Sequence, residues 1–105
     1  MNSTVPMLRR IQVMEGPLTI YTATEQKDVL LSLFPLAHEV ELDLSNVDEL
    51  DSAGLQLLIL VKRESLMKGT QLLLSNPSPT VSEALRLSGL DDYFANASFA
   101  PLAGA

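Results

Sequence analysis

The stretch that decides the fold is Val40–Met67, VELDLSNVDELDSAGLQLLILVKRESLM. Val40, Leu42 and Leu44 alternate with Glu41, Asp43 and Ser45. That is the period-2 pattern of a strand with one well-buried face. Ser45 to Leu50 is too polar to continue the strand and reads as an acidic loop. Asp51-Ser52 follows, and then an apolar run of helical length that stops at Gly69. Asp and Ser both favour helix N-caps, because a side-chain oxygen can accept from an orphan N–H of the first turn. Glycine suits the left-handed residue that closes a helix. The spacing therefore predicts strand, loop and helix, with the Ser52 hydroxyl at a helix N-terminus where the backbone field favours negative charge. Ala53 and Gly54 carry almost no side chain and leave that hydroxyl open to a large partner. Read locally, Asp51-Ser52 is either a helix cap alone or a site for a reversible phosphate, which brings roughly −1.5 to −2 charges.

The helix from Ser52 to about Lys68 is apolar around much of its circumference. Leu57, Leu58 and Val61 make a core face, while Leu55, Ile59, Leu60, Leu66 and Met67 spread apolar surface further. Such a helix is buried on several sides or meets a partner. Gln56, Leu60, Arg63 and Met67 recur at i, i+4, i+7 and i+11 and form the candidate binding stripe.

Upstream, Met7–Glu15 alternates weakly and is a candidate first strand, after a loose tail at residues 1–6. Gly16-Pro17 signals a turn, and Leu18–Tyr21 has the β-branched and aromatic composition of a second strand, so the two are expected to pair as a hairpin. Thr22 or Thr24 caps a helix starting near Glu25 and ending by Phe34, before Pro35. Downstream, Gln71–Leu74 reads as a strand, and Thr80 with Glu83 as the capping box of a short helix ending at Ser88-Gly89. Tyr93 and Phe94 close the core, Ala97–Pro101 is a candidate edge strand, and Leu102–Ala105 frays. The expectation is an α/β domain: a mixed sheet of four to five strands with about three helices packed mainly on one face.

A second line of reading is a resemblance. Asp43-Leu44-Ser45 and Asp51-Ser52-Ala53-Gly54-Leu55, with Gly69–Leu74 and Ser78–Phe94 behind them, resemble the STAS domain, in its single-domain bacterial anti-sigma factor antagonist form. The likeness covers about residues 10 to 99. It implies a STAS-like fold and a protein partner that is both anti-sigma factor and serine kinase. It implies phosphorylation at the serine after the motif aspartate, here Ser52, and a phosphatase that resets the switch in transcription control. The partner surface it implies is Asp48, Glu49, Asp51, Ser52, Ala53 and Gly54, to which the helical stripe of Gln56, Leu60, Arg63 and Met67 adds. Many antagonists carry a Gly-Glu-Leu-Asp-like sequence in the second strand; here Gly16-Pro17-Leu18-Thr19 has no acid. That departure keeps two other family roles open: a constitutive subunit binding the ATPase of a phospholipid ABC transporter, or an adaptor in chemotaxis-like and two-component pathways.

Composition bounds what remains. At 105 residues the chain is expected to be one domain, with its core at about residues 7–99. A net charge of −6 disfavours nucleic acid and anionic lipid as partners. Without cysteine there is neither a disulfide framework nor a thiolate metal site, which suits a reducing cytoplasm. The longest apolar run, Leu57–Val61, falls far short of the ~20 residues that span a bilayer, so no membrane insertion is expected. An enzyme is not expected either. A nucleophilic Ser52 needs a base, and the one histidine, His38, stands at the other end of the central strand. The acids Asp43, Asp48, Glu49 and Asp51 read as solvated rather than as a metal site, and no phosphate-binding glycine loop exists, so no cofactor is expected. The apolar helix leaves the choice between monomer and weak homodimer open.

Overall fold

The computed structural model describes residues 8–94. Three strands, β1 (Arg9–Glu15), β2 (Glu39–Asn46) and β3 (Gln71–Ser75), form one sheet in the order β1-β2-β3. Both pairings are parallel. Helices α1 (Ala23–Leu31), α2 (Ser52–Lys68) and α3 (Pro79–Leu87) follow the strands in turn, with a 3-10 turn at Phe34–Leu36. Parallel strands need crossovers, and helices supply them.

The alternation in β2 does what its pattern demands. Val40, Leu42 and Leu44 are fully buried and meet Leu30, Leu57, Leu58, Val61, Val81 and Leu85 from the helices. The opposite sheet face, with Glu39, Glu41 and Asp43 beside Arg9, Ile11 and Val13 of β1, carries no helix among the described residues. The protein is thus a two-layer α/β domain with its core on one side of the sheet.

Gly69 adopts φ +72° at the C-cap of α2, as a residue closing a helix in the left-handed region should. Phe94 is buried in the core with Tyr93 packed against its edge, centroids 5.2 Å apart. Lys62 is the unexpected core member. It is only 4% exposed, its Nζ donates to the Tyr93 carbonyl at 3.3 Å, and it lies 4.7 Å from the Tyr93 ring centroid. Burial pushes its ammonium below the usual lysine range.

Several sequence expectations are corrected. The described strands number three rather than four or five and are all parallel rather than mixed, because the hairpin does not form. After Gly16-Pro17 the chain continues forward instead of turning back. Leu18 N–H donates to the Glu49 carbonyl at 2.8 Å, Asp51 N–H donates to the Leu18 carbonyl at 3.3 Å, and a single parallel bridge joins Leu18 to Leu50. Thr19–Thr22 is then a turn closed by its own hydroxyls. Thr22 does not cap α1 through its side chain, since its Oγ1 accepts from Thr19 N–H and donates to the Pro17 carbonyl. The first helix ends at Leu31, and Pro35 lies inside the 3-10 turn. The cap of α3 is Ser78 rather than Thr80: its Oγ accepts from Val81 N–H at 3.2 Å and donates to the Val47 carbonyl at 2.5 Å. Pro79 takes the first helical position, where a missing N–H costs nothing. The candidate strand at Ala97–Pro101 and both chain ends lie outside the described residues.

Candidate docking site at the strand ends

The C-terminal ends of parallel strands are where an open α/β sheet presents its loops. Here β2 delivers Val47–Leu50 to that edge, and Asp51 turns the chain into α2. Asp51 is the N-cap, with extended backbone at φ −107° and ψ −173°. Its carboxylate has two separate duties. Oδ1 accepts from Gly54 N–H at 2.9 Å, capping the helix. Oδ2 accepts from Ile20 N–H at 3.0 Å, tying the turn after β1 to the helix N-terminus. These N–H donors, Gly54 first, hold the Asp51 carboxyl below the usual carboxylate range.

Ser52 is the first residue of α2 and is exposed. Among the described residues nothing hydrogen-bonds its hydroxyl, and its neighbour Asp51 is committed to Gly54 and Ile20. His38 lies at the opposite end of β2, where its Nδ1 accepts from Leu8 N–H at 3.0 Å. Among the described residues the hydroxyl therefore has no general base and no hydrogen-bond partner.

The expected site residues fall into four sets. Asp48, Glu49, Asp51 and Ser52 share the strand-end edge, with Asp48 and Glu49 exposed. Ala53, Gln56, Leu60 and Arg63 face α1 across a groove of about 340 Å³, with Thr24 and Lys27 on its far wall. Met67 is exposed beyond the groove, about 22 Å along the helix from Ser52 at 1.5 Å per residue. Gly54 stands apart, because it is buried. A Cβ there would collide with the Leu18 carbonyl and come within 2.7 Å of Leu50 Cδ1. Its bareness serves the close seating of the Leu18 turn on α2.

Sequence reasoning missed the turn residues. Ile20 and Tyr21, read as strand, project from the turn that Asp51 holds, and are 68% and 94% exposed. Two large apolar side chains on a short turn beside an unpartnered hydroxyl make a surface suited to a protein partner. The signal that would have found them is the aspartate itself. Its second oxygen was free to accept from a group outside its own helix, and here it takes Ile20 N–H.

Among the described residues no group of three or more His, Cys, Asp or Glu side chains is placed to hold a metal ion, and no helix is long and apolar enough to cross a membrane. Residues 12–100 match the family described as "Mlab, STAS domain", and the chain belongs to the STAS family. STAS domains in general are regulatory modules that mediate protein–protein interaction. Solved structures agree. A sulfate transporter family protein from Wolinella succinogenes is 26% identical, with a TM-score of 0.73 over 88% of this chain and 75% of that one. The SulP transporter STAS domain from Vibrio cholerae is 23% identical, with a TM-score of 0.66 over 95% and 86% of the two chains. The anti-sigma factor antagonist SpoIIAA in its unphosphorylated form is 21% identical, with a TM-score of 0.68 over 86% and 80%. At these identities the last two share the fold.

Proposed function

We propose that this chain is a regulatory binding module of the anti-sigma factor antagonist kind, switched by reversible phosphorylation of Ser52. The observation that carries the reading is the free, exposed Ser52 hydroxyl at the first position of α2, beside the exposed Ile20 and Tyr21. A kinase can reach it, and no internal bond is lost when it is modified. Asp51 already occupies the Gly54 N–H that would otherwise hold a phosphate inside the domain. A phosphoryl group on Ser52 therefore points outward, among the negative charges of Asp48, Glu49 and Asp51. Its charge and bulk then act on the docked partner through repulsion and desolvation, with no refolding of the domain. The partner is a serine kinase that doubles as an anti-sigma factor, and a phosphatase restores binding.

A second reading has its own support. Gly16-Pro17-Leu18-Thr19 bears no acid, and the exposed side chains beside it are Ile20 and Tyr21. An apolar turn suits a subunit that stays docked, such as a STAS subunit on the ATPase of a phospholipid transporter. The likeness to a sulfate transporter family protein, 26% identical, supports a place on a transporter. Pull-downs with wild type, Ser52→Ala and Ser52→Asp separate the two. The switch predicts that Ser52→Asp loses a partner that Ser52→Ala retains. Equal capture by all three, with an ATPase as the captured protein, favours the docked subunit.

A further inference from the structure

The chain carries 13 Asp and Glu against 7 Lys and Arg, yet one strip of its described surface reverses that balance. The groove of about 340 Å³ between α1 and α2 is lined by two cations, Lys27 and Arg63, and by no acid. Lys27 stands on the α1 wall and Arg63 on the α2 wall. The acids of the same helices, Glu25, Asp28 and Glu64, lie outside the lining. Between the cations the lining is apolar: Leu57 is buried, and Ile59 and Leu60 are half-buried. Arg9 and Arg86 hold carboxylates, and Lys62 holds the Tyr93 carbonyl. Lys27 and Arg63 meet no described acid. The remaining segments cannot supply one. Residues 1–7 (MNSTVPM) and 95–105 (ANASFAPLAGA) contain no Asp or Glu, so no acidic side chain there neutralises the pair, wherever those segments lie.

We infer that this groove seats a short amphipathic helix of the partner protein, its apolar stripe on Leu57 and Leu60 and acidic residues on both flanks of that stripe, against Lys27 and Arg63. The inference rests on the docking reading, because Gln56, Leu60 and Arg63 belong to the candidate stripe, and it adds the chemistry of what docks. The α2 wall begins at Ala53, next to Ser52, and reaches Arg63 about 15 Å on at 1.5 Å per residue, the length of roughly three helical turns. A helix lying in a groove is held by apolar anchors at i, i+3, i+4 and i+7, and a groove with apolar floor and polar walls suits that spacing. Charge sets the register. A segment with acids on one flank alone satisfies one wall and leaves the other cation unmatched. The net charge of −6 repels an acidic segment from the surface as a whole, so the two cations fix where it lands.

The probe is a synthetic helical peptide of about four turns, with leucine at the anchor spacing and glutamate on both flanks. Titrated into the full 15N-labelled chain, it should bind saturably and shift the amides of Thr24–Lys27 and Gln56–Arg63 most. Lys27→Glu and Arg63→Glu should each weaken binding about tenfold or more, and so should glutamine in place of every glutamate in the peptide. A peptide with lysine flanks should bind the double variant Lys27→Glu, Arg63→Glu in preference to wild type. Thermal midpoints report folding, and Lys27→Gln with Arg63→Gln replaces the pair if a glutamate variant unfolds. The inference is overturned by a peptide that does not saturate, by equal binding of the glutamine peptide, or by shifts centred elsewhere. It is also overturned if phosphatidylglycerol vesicles bind the wild type and lose binding in the same variants, which would give the groove to a membrane. No arm contains phosphate or a native partner, so the Ser52 switch fails separately: a peptide that binds as described, with Ser52→Asp unchanged in the pull-down, would remove the switch and keep the groove.

Discussion

The two ends of the sheet use the same kinds of groups in opposite ways. At the N-terminal end of the strands, polar groups are consumed internally. His38 Nδ1 accepts from Leu8 N–H, and the buried Thr70 hydroxyl lies 3.4 and 3.3 Å from the carbonyls of Phe34 and Ala37. At the C-terminal end Asp51 joins the turn at Ile20 to the helix at Gly54, and Ser78 ties α3 to the Val47 carbonyl. Ser52, Ile20 and Tyr21 are left facing outward. One end is closed by its polar side chains. At the other, the Asp51 carboxylate braces the turn against α2 while the Ser52 hydroxyl stays unbonded among the described residues. The proposed switch sits at that end because modifying the Ser52 hydroxyl would break no hydrogen bond seen among the described residues.

The sharpest way to break this contrast is to disturb the brace. Gly54→Ala drives a Cβ into the Leu18 backbone, so the turn must lift off the helix. The loss of stability should reach or exceed the ~3 kcal/mol upper range of ordinary overpacking, measured by urea unfolding. Thr70→Val keeps the shape of the closed end but removes its buried hydroxyl. It should cost about 1–2 kcal/mol and leave partner binding intact, which a pull-down beside the unfolding curve would check. Tyr21→Ala should do the reverse. A side chain this exposed contributes within about ±0.5 kcal/mol to stability, whereas partner affinity should fall about tenfold or more if the turn is a docking element. Equal binding by Tyr21→Ala would remove the turn from the site.

The smallest effect is expected from acid. The carboxyls of Asp51, Asp43 and Glu41 all lie below their ordinary values in the folded protein. Asp51 is lowered chiefly by Gly54 N–H, Asp43 by Ser45, and Glu41 by the Ser75 hydroxyl. A carboxyl with a lowered folded pKa stabilises the fold above its unfolded value, and that stabilisation is lost as pH falls through the folded value. Thermal midpoints should therefore be flat from neutrality down to about pH 4 and fall below it. Asp51→Asn should blunt the fall, since it removes one of the three groups. A midpoint that declines already near pH 6 would contradict this assignment.

How far the sequence could be read follows from how local each cause is. The alternation of Val40, Leu42 and Leu44, the Asp51 cap and the left-handed Gly69 are decided within a few residues, and β2, the loop and α2 stand where the pattern put them. Leu18–Tyr21 misleads because its β-branched composition is local while its partners are not. Leu18 is held by Glu49, Leu50 and Asp51, more than thirty residues on, and that contact depends on a missing Cβ at Gly54. The caps at Thr22 and Thr80 fail for a related reason. A hydroxyl takes whichever backbone group the tertiary fold brings near, and for Thr22 that is Pro17 and Thr19. Of the candidate site, Ser52 and its acidic neighbours were legible as a capping pattern. Ile20 and Tyr21 were not, because the long-range hydrogen bonds of Leu18 and of Asp51 to Ile20 place them there.

The most direct measurement is intact mass with peptide mapping on the protein recovered from the cells that make it, across growth conditions. The account predicts an increment of about 80 Da, one phosphoryl group, confined to Ser52 and varying in occupancy with condition. A Ser52 that stays unmodified under every condition, in protein that is nonetheless bound to its partner, would contradict it.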